Sequence, residues 1–335
     1  MNKISYGQFA SLLLITDAFA LLCLYGNISV LTTAGFLTGI IIQTIMAIPV
    51  IKFYNSGGAL KNCRKVVCWF YLIYLLLWGG ILFSMLWNAA EIIYIPFENI
   101  GFVSEKLLIS GLIAVSCLYV SSPGIKAMSR AGTIVAVLGV LCLLIFLVSA
   151  VPNAKFEYLT DLWNSNGFFD EFIRGFSISG SLGSFVVLLE FVNGSKTKSS
   201  IMYFSGKAIL YTVVTIAATS VAGGIMTITN FPIVSAAELS QPFSVQRIDS
   251  LFLMIFVILA VFSIAVQVIA ASYLFRLIFT SFSILRSTCS LVLMIGAAFA
   301  LSKVGIYHWA YAIAVMVALL IVPTAMLIKK SRGRG

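Results

Sequence analysis

Long apolar runs separated by short polar stretches organise this chain from end to end. Roughly 20 apolar residues cross a bilayer as helix. By that measure ten spans are predicted, at 8–26, 30–51, 66–87, 107–121, 131–151, 172–192, 201–228, 251–275, 282–302 and 306–328. Two connections are longer than the rest. Residues 152–171 are acidic and aromatic, and 229–250 carry two prolines; both suit a lid or the docking of an external partner. The pattern predicts an all-α polytopic membrane protein with a single transmembrane domain over 1–335.

Composition strengthens that reading. Of 335 residues, 61% are hydrophobic and only 10% charged, with a mean hydropathy of +1.09, more apolar surface than a soluble fold of this length can hide. The net charge of +10 falls between the spans, not in aromatic-interleaved patches, so the expected partner is the lipid bilayer and not nucleic acid. With the N-terminus placed inside, the inner segments hold sixteen Lys and Arg, Lys207 counted among them, and the outer segments five. Basic residues favour the cytoplasmic side, which predicts two cytoplasmic termini; the first run, with an aspartate at its middle and no small-residue cleavage site after it, is expected to be a retained helix. The six cysteines read as free small hydrophobes. Metal-ligand clusters, phosphate loops and nucleophile triads are absent from the sequence, and no acid–base pair converges. No cofactor and no enzymatic activity are therefore expected.

Two acidic residues, Asp17 and Glu190, fall inside predicted spans, the first and the sixth. Charges there are costly and are paired, protonated or cavity-lining. Ten spans divide into five plus five, with repeat one near 8–151 and repeat two near 172–328, and the first and sixth spans then become equivalent. Transporters built from such inverted repeats bind solutes where these helices break near the midplane. The sixth span carries RGFSISGSLGSF at 174–185. Glycine and serine weaken a helix locally, so Ser179, Gly180, Ser181 and Gly183 are candidate ligand contacts in an unwound turn over 179–184. Close helix packing is the alternative reading of the same small residues. Asp17 is a candidate acceptor for a ligand ammonium or an ion across from that turn, or a protonated carboxyl tied to a neighbouring helix. Glu190 is a candidate inner gate, or a side chain reaching toward a lysine at 196–198. Thr215, on one face with Thr212 and Thr219, lines a path or satisfies carbonyls of its own helix. Gln267, in mid-span, needs a partner on another helix.

Three stretches resemble the spore germination permease family, the B subunit of spore germinant receptors: ISYGQFASLLLI at 4–15, GIKAMSRAG at 124–132, and FPIVSAAELSQPFSVQRIDSLFLMIF at 231–256. Arg247 and Asp249 sit in the most specific part of the match and are candidate partner or loop contacts. That family is similar to the amino acid–polyamine–organocation transporters. The resemblance implies a five-plus-five inverted-repeat fold and a small germinant, such as an amino acid, held between helices one and six. It also implies an A subunit and a C lipoprotein as partners, at the spore inner membrane. One departure stands out: the first span has no glycine between Gly7 and Gly26, where related transporters break that helix.

Overall fold

A computed structural model describes residues 3–24, 28–93, 102–160, 175–176, 182–223, 231–240, 248–279 and 285–304. Helix accounts for 88% of them, with no strand among the described residues. The helices on the predicted spans are α1 (Tyr6–Leu22), α2 (Val30–Asn55), α3 (Lys65–Ile93), α4 (Phe102–Ser121), α5 (Ile125–Ala150), α6 (Leu182–Leu189), α7 (Lys196–Ala222), α8 (Ile248–Ile278) and α9 (Leu285–Val304). Short helices at Glu157–Thr160 and Pro232–Leu239 belong to the two long connections. The predicted tenth span lies outside the described residues. Among the described residues five helices, α2, α3, α5, α7 and α8, are long and apolar enough to cross a membrane. The chain is a helical integral membrane protein.

Helix starts follow capping chemistry, not hydropathy. At α1, the Ser5 hydroxyl accepts from Gln8 N–H (3.2 Å) while the Gln8 side chain accepts from Ser5 N–H (3.0 Å), a reciprocal box that satisfies two end donors. At α7, the Ser195 hydroxyl accepts from Lys198 N–H (3.3 Å), so the polar residues 196–200 are already helical, ahead of the apolar run that begins at 201. At α5, Gly124 supplies the positive φ of +85° needed at the turn.

The distribution of polarity is inverted relative to a soluble bundle. Large apolar side chains at helical spacing face outward, such as Ile41 and Ile45 on α2 and Ile134, Val137 and Leu141 on α5. Polar side chains face inward: Thr16, Asp17, Ser184, Lys207, Ser263 and Gln267 have no exposed surface. Lipid solvates the first set, and the second must find partners inside the protein.

α1 packs on α5, α7 and α8, and meets α6; α2 packs on α7 and touches α6. α3 packs on α8 and α9 and touches α4 and α6; α8 also meets α4, α6 and α9, and α4 meets α9. Small residues permit the closest of these contacts. A Cβ added at Gly80 would lie 2.8 Å from Ala297 Cβ and 3.0 Å from Ala298 N, so α3 and α9 approach backbone to backbone there. Gly132 on α5 leaves room for Leu12 on α1.

The connections sort into two ends. At one end, Ile4 N–H donates to Phe191 O (3.0 Å) and Asn193 N–H donates to Ile4 O (2.8 Å), and the Asn55 side chain donates to Thr197 Oγ1 (3.0 Å). At the other, Lys155 N–H donates to Ser220 O (2.8 Å), and Tyr158 lies against Gly223, whose φ is +47°. This is the alternation that successive crossings require.

Candidate functional site

Among the described residues, two buried polar clusters and one half-buried one follow α1, α6, α7 and α8. The first joins α1 to α7. Asp17 lies three turns into α1, and Lys207 the same distance into α7. Lys207 Nζ is 3.0 Å from Asp17 Oδ1, and Tyr203 donates its hydroxyl to Asp17 Oδ2 (2.8 Å). Lys207 Nζ also donates to the Tyr203 oxygen (3.3 Å) and lies 5.6 and 5.7 Å from the Tyr203 and Tyr211 ring centres. Tyr211 donates its hydroxyl to the Asp17 backbone oxygen (3.4 Å). Because Tyr203, Lys207 and Tyr211 recur every four residues, they form one face of α7. The rings screen the ammonium from lipid, and the carboxylate neutralises it.

This arrangement corrects one expectation. Lys207 is not an inner-loop charge: the cap at Ser195 extends α7 and carries this lysine into the bundle. Asp17 is tied to a neighbouring helix, with the Lys207 ammonium and the Tyr203 hydroxyl as partners. α1 is also continuous from Tyr6 to Leu22.

The second cluster joins α6, α8 and α1. The Ser184 hydroxyl donates to Gln267 Oε1. Ser263, one turn away on α8, donates to Ile15 O on α1 (3.3 Å) and to Leu259 O (2.6 Å). Gln267 Nε2 is fully buried and has no hydrogen-bond partner among the described residues. An amide donor in that state carries a substantial desolvation cost, and it is a ready contact for a ligand acceptor.

The third cluster sits where α6 ends. Glu190 Oε2 accepts from Leu60 N–H (3.1 Å) and Oε1 accepts from the Tyr273 hydroxyl (2.9 Å). One carboxylate thus holds the α2–α3 connection, the end of α6 and the end of α8 together. Lys196 does not pair with this carboxylate as the sequence suggested. Its ammonium donates to the backbone oxygens of Leu189 (2.8 Å) and Val192, capping the carbonyl end of α6.

The other predicted residues are placed as follows. Thr215 donates to Tyr211 O (2.6 Å) and accepts from Thr33 on α2 (2.9 Å), so its hydroxyl is engaged in helix contacts. Gly183 is in the first turn of α6. Ser179, Gly180, Ser181 and Arg247 lie outside the described residues, as does the side chain of Asp249. Gly175, within the same small-residue segment, approaches the Thr32 backbone oxygen of α2 so closely that no Cβ fits, so packing explains this one glycine. Sequence reasoning missed Lys207 and Tyr203 as a unit. The signal for them was a lysine flanked by tyrosines at i−4 and i+4.

No protein-family model matches the chain, and no curated protein matches it.

Proposed function

We propose that the chain is the permease-like B subunit of a spore germinant receptor. It senses a small germinant, such as an amino acid, between α1, α6 and α8, and signals germination together with an A subunit and a C lipoprotein. The proposed architecture is a ten-helix bundle of two inverted five-helix repeats, at the spore inner membrane with both termini on the core side.

The functional part of this reading rests on the resemblance of the three stretches at 4–15, 124–132 and 231–256, and the observation that supports its architecture is the packing pattern. Exchange each helix for the one five places on: one with six, two with seven, three with eight, four with nine. The α1–α7 contact maps to α6–α2, α1–α8 to α6–α3, α3–α9 to α8–α4, and α8–α9 to α3–α4, and all are present. The pairs α1–α6, α2–α7, α3–α8 and α4–α9 map to themselves and are present too. Among the pairs whose exchanged helices are both described, the contact of α6 with α8 is the exception; the contacts of α5 have no described counterpart. An inverted repeat predicts this exchange symmetry. In the same fold, a proton- or sodium-coupled amino acid transporter is the second reading. The buried Asp17–Lys207 pair favours it, as intramembrane acids and bases serve proton relays.

Gln267→Leu and Gly180→Leu test the pocket. Germination dose–response curves are run beside immunoblots of spore membranes for all three subunits. The expected result is a loss of germinant response at unchanged protein level. Unchanged sensitivity at normal protein level rejects the pocket. Uptake of labelled amino acid by liposomes holding the chain alone supports the transporter.

A further inference from the structure

A shallow groove of about 500 Å³, its exposed lining chiefly apolar, opens on the surface of the bundle between α1, α5 and α7, lined by Gln8, Ser11, Arg130, Thr133, Ile134 and Met202 among others. It does not belong to the three polar clusters. Arg130 is the sixth residue of α5, and its neighbour one turn on, Ile134, is 65% exposed. The guanidinium therefore projects from a helix face that lipid covers. It makes no hydrogen bond or ion pair among the described residues. The acids whose contacts are described are engaged elsewhere: Asp17 with Lys207, and Glu190 with Leu60 and Tyr273. Lys126, one turn before Arg130 and exposed, adds a second cation.

An unpaired charge on a lipid-facing surface is costly, and a long side chain relieves the cost by reaching the headgroup level. The groove lies at the end that carries Ile4 and Thr197, the end the basic-residue bias assigns to the anionic cytoplasmic leaflet. Ser11, with no hydrogen bond recorded for its hydroxyl among the described residues, supplies a further donor. Tyr6, 55% exposed beside the groove, is an amphipathic ring of the kind found at headgroup depth. We propose that this groove binds one anionic phospholipid, with its phosphate on Arg130 and the polar side chains of α1 and its acyl chains along Ile134 and Met202. The occupant is a lipid, not a second protein chain. The charge complementarity requires an anion, and the surface around the cation is the exposed apolar face of α5, which suits acyl chains.

Native mass spectrometry of the purified full chain tests this, using phosphatidylglycerol and phosphatidylcholine of matched acyl chains. The wild-type chain is expected to retain phosphatidylglycerol in preference to phosphatidylcholine. One basic residue near an anionic surface is worth about fivefold in affinity, so Arg130→Gln should lower retention by about that factor. Arg130→Lys should keep most of it, and Arg64→Gln, on an exposed inner connection away from the groove, should leave it unchanged. Should Arg130→Gln yield no folded protein, Ser11→Ala, with an expected loss of about twofold, carries the test. Equal retention of the two lipids by the wild-type chain overturns the proposal. So does equal phosphatidylglycerol retention by wild type and the groove variants. A dimer that dissociates in Arg130→Gln also overturns it and assigns the groove to a second copy of the chain.

Discussion

Lys207 Nζ lies 3.0 Å from Asp17 Oδ1, and neither side chain has any exposed surface. The two residues come from helices whose sequence positions differ by more than half the chain, yet they meet at the same depth. Removing one member of such a pair leaves an uncompensated charge, which costs about 3–5 kcal/mol, whereas replacing both with neutral groups costs much less. Lys207→Met is therefore expected to lower thermal stability sharply, and Asp17→Asn/Lys207→Met to recover much of it. Unfolding in detergent, followed by tryptophan fluorescence, measures both. A double variant no more stable than Lys207→Met would show that the charges are not coupled.

Glu190→Gln is expected to loosen the end of the bundle that carries Ile4. The carboxylate accepts from Leu60 N–H and from the Tyr273 hydroxyl through separate oxygens. Glutamine has one acceptor oxygen, so one donor loses its partner, at a cost of about 1–3 kcal/mol. Faster hydrogen exchange around Leu60 is the expected signature. Tyr273→Phe removes only the second bond and should leave the Leu60 amide protected.

Adjacent glycines on α3 are expected to differ. A Cβ at Gly79 meets the Met294 sulfur at 2.5 Å, and a flexible thioether can move aside. A Cβ at Gly80 meets Ala297 Cβ and the backbone of Ala298, which can yield only by parting the helices. Gly79→Ala should cost under about 1 kcal/mol, and Gly80→Ala about 1–3 kcal/mol. Equal melting temperatures for the two variants would contradict the close α3–α9 approach.

Single cysteines at Asn62 and Thr197, in a background without the six native ones, are expected to resist impermeant maleimides in intact cells and to react in inverted vesicles. Both residues are exposed, at the end of the bundle that carries Ile4. Gly58 is a poorer labelling position, because a Cβ there would lie 2.6 Å from the Phe53 ring. Labelling from outside would reverse the proposed orientation.

Much of the helix framework was legible in the sequence because lipid imposes a simple rule: apolar runs of bilayer length become helices. The starts of α5 and α7 were not, since Gly124 and Ser195 begin helix inside polar stretches that hydropathy reads as loop. That one displacement hid Lys207. With α7 begun at 201 the lysine looks like a flanking charge; with α7 begun at 196 it lies deep in the helix. The need of Asp17 and Gln267 for partners was visible, because buried polar groups demand them. Which residues answer was not visible, because Lys207 and Ser184 are brought near only by the packing of helices distant in sequence.

The two-way backbone link of Ile4 with Phe191 and Asn193 has a consequence for biosynthesis. α1 is made before the other helices described, yet the residues that fix its starting end lie past the midpoint of the 335-residue sequence. Until those residues are made the leading tip of α1 has no strand-like partner, and Asp17 has no lysine, since Tyr203 and Lys207 follow later still. The contact of α1 with α5, Leu12 against Gly132, is available earlier, so α1 docks in two stages: its helix face first, and its starting end and Asp17 only once the segment from Phe191 to Lys207 has been made. A chain truncated before residue 190 would keep the first of these contacts and lack the second.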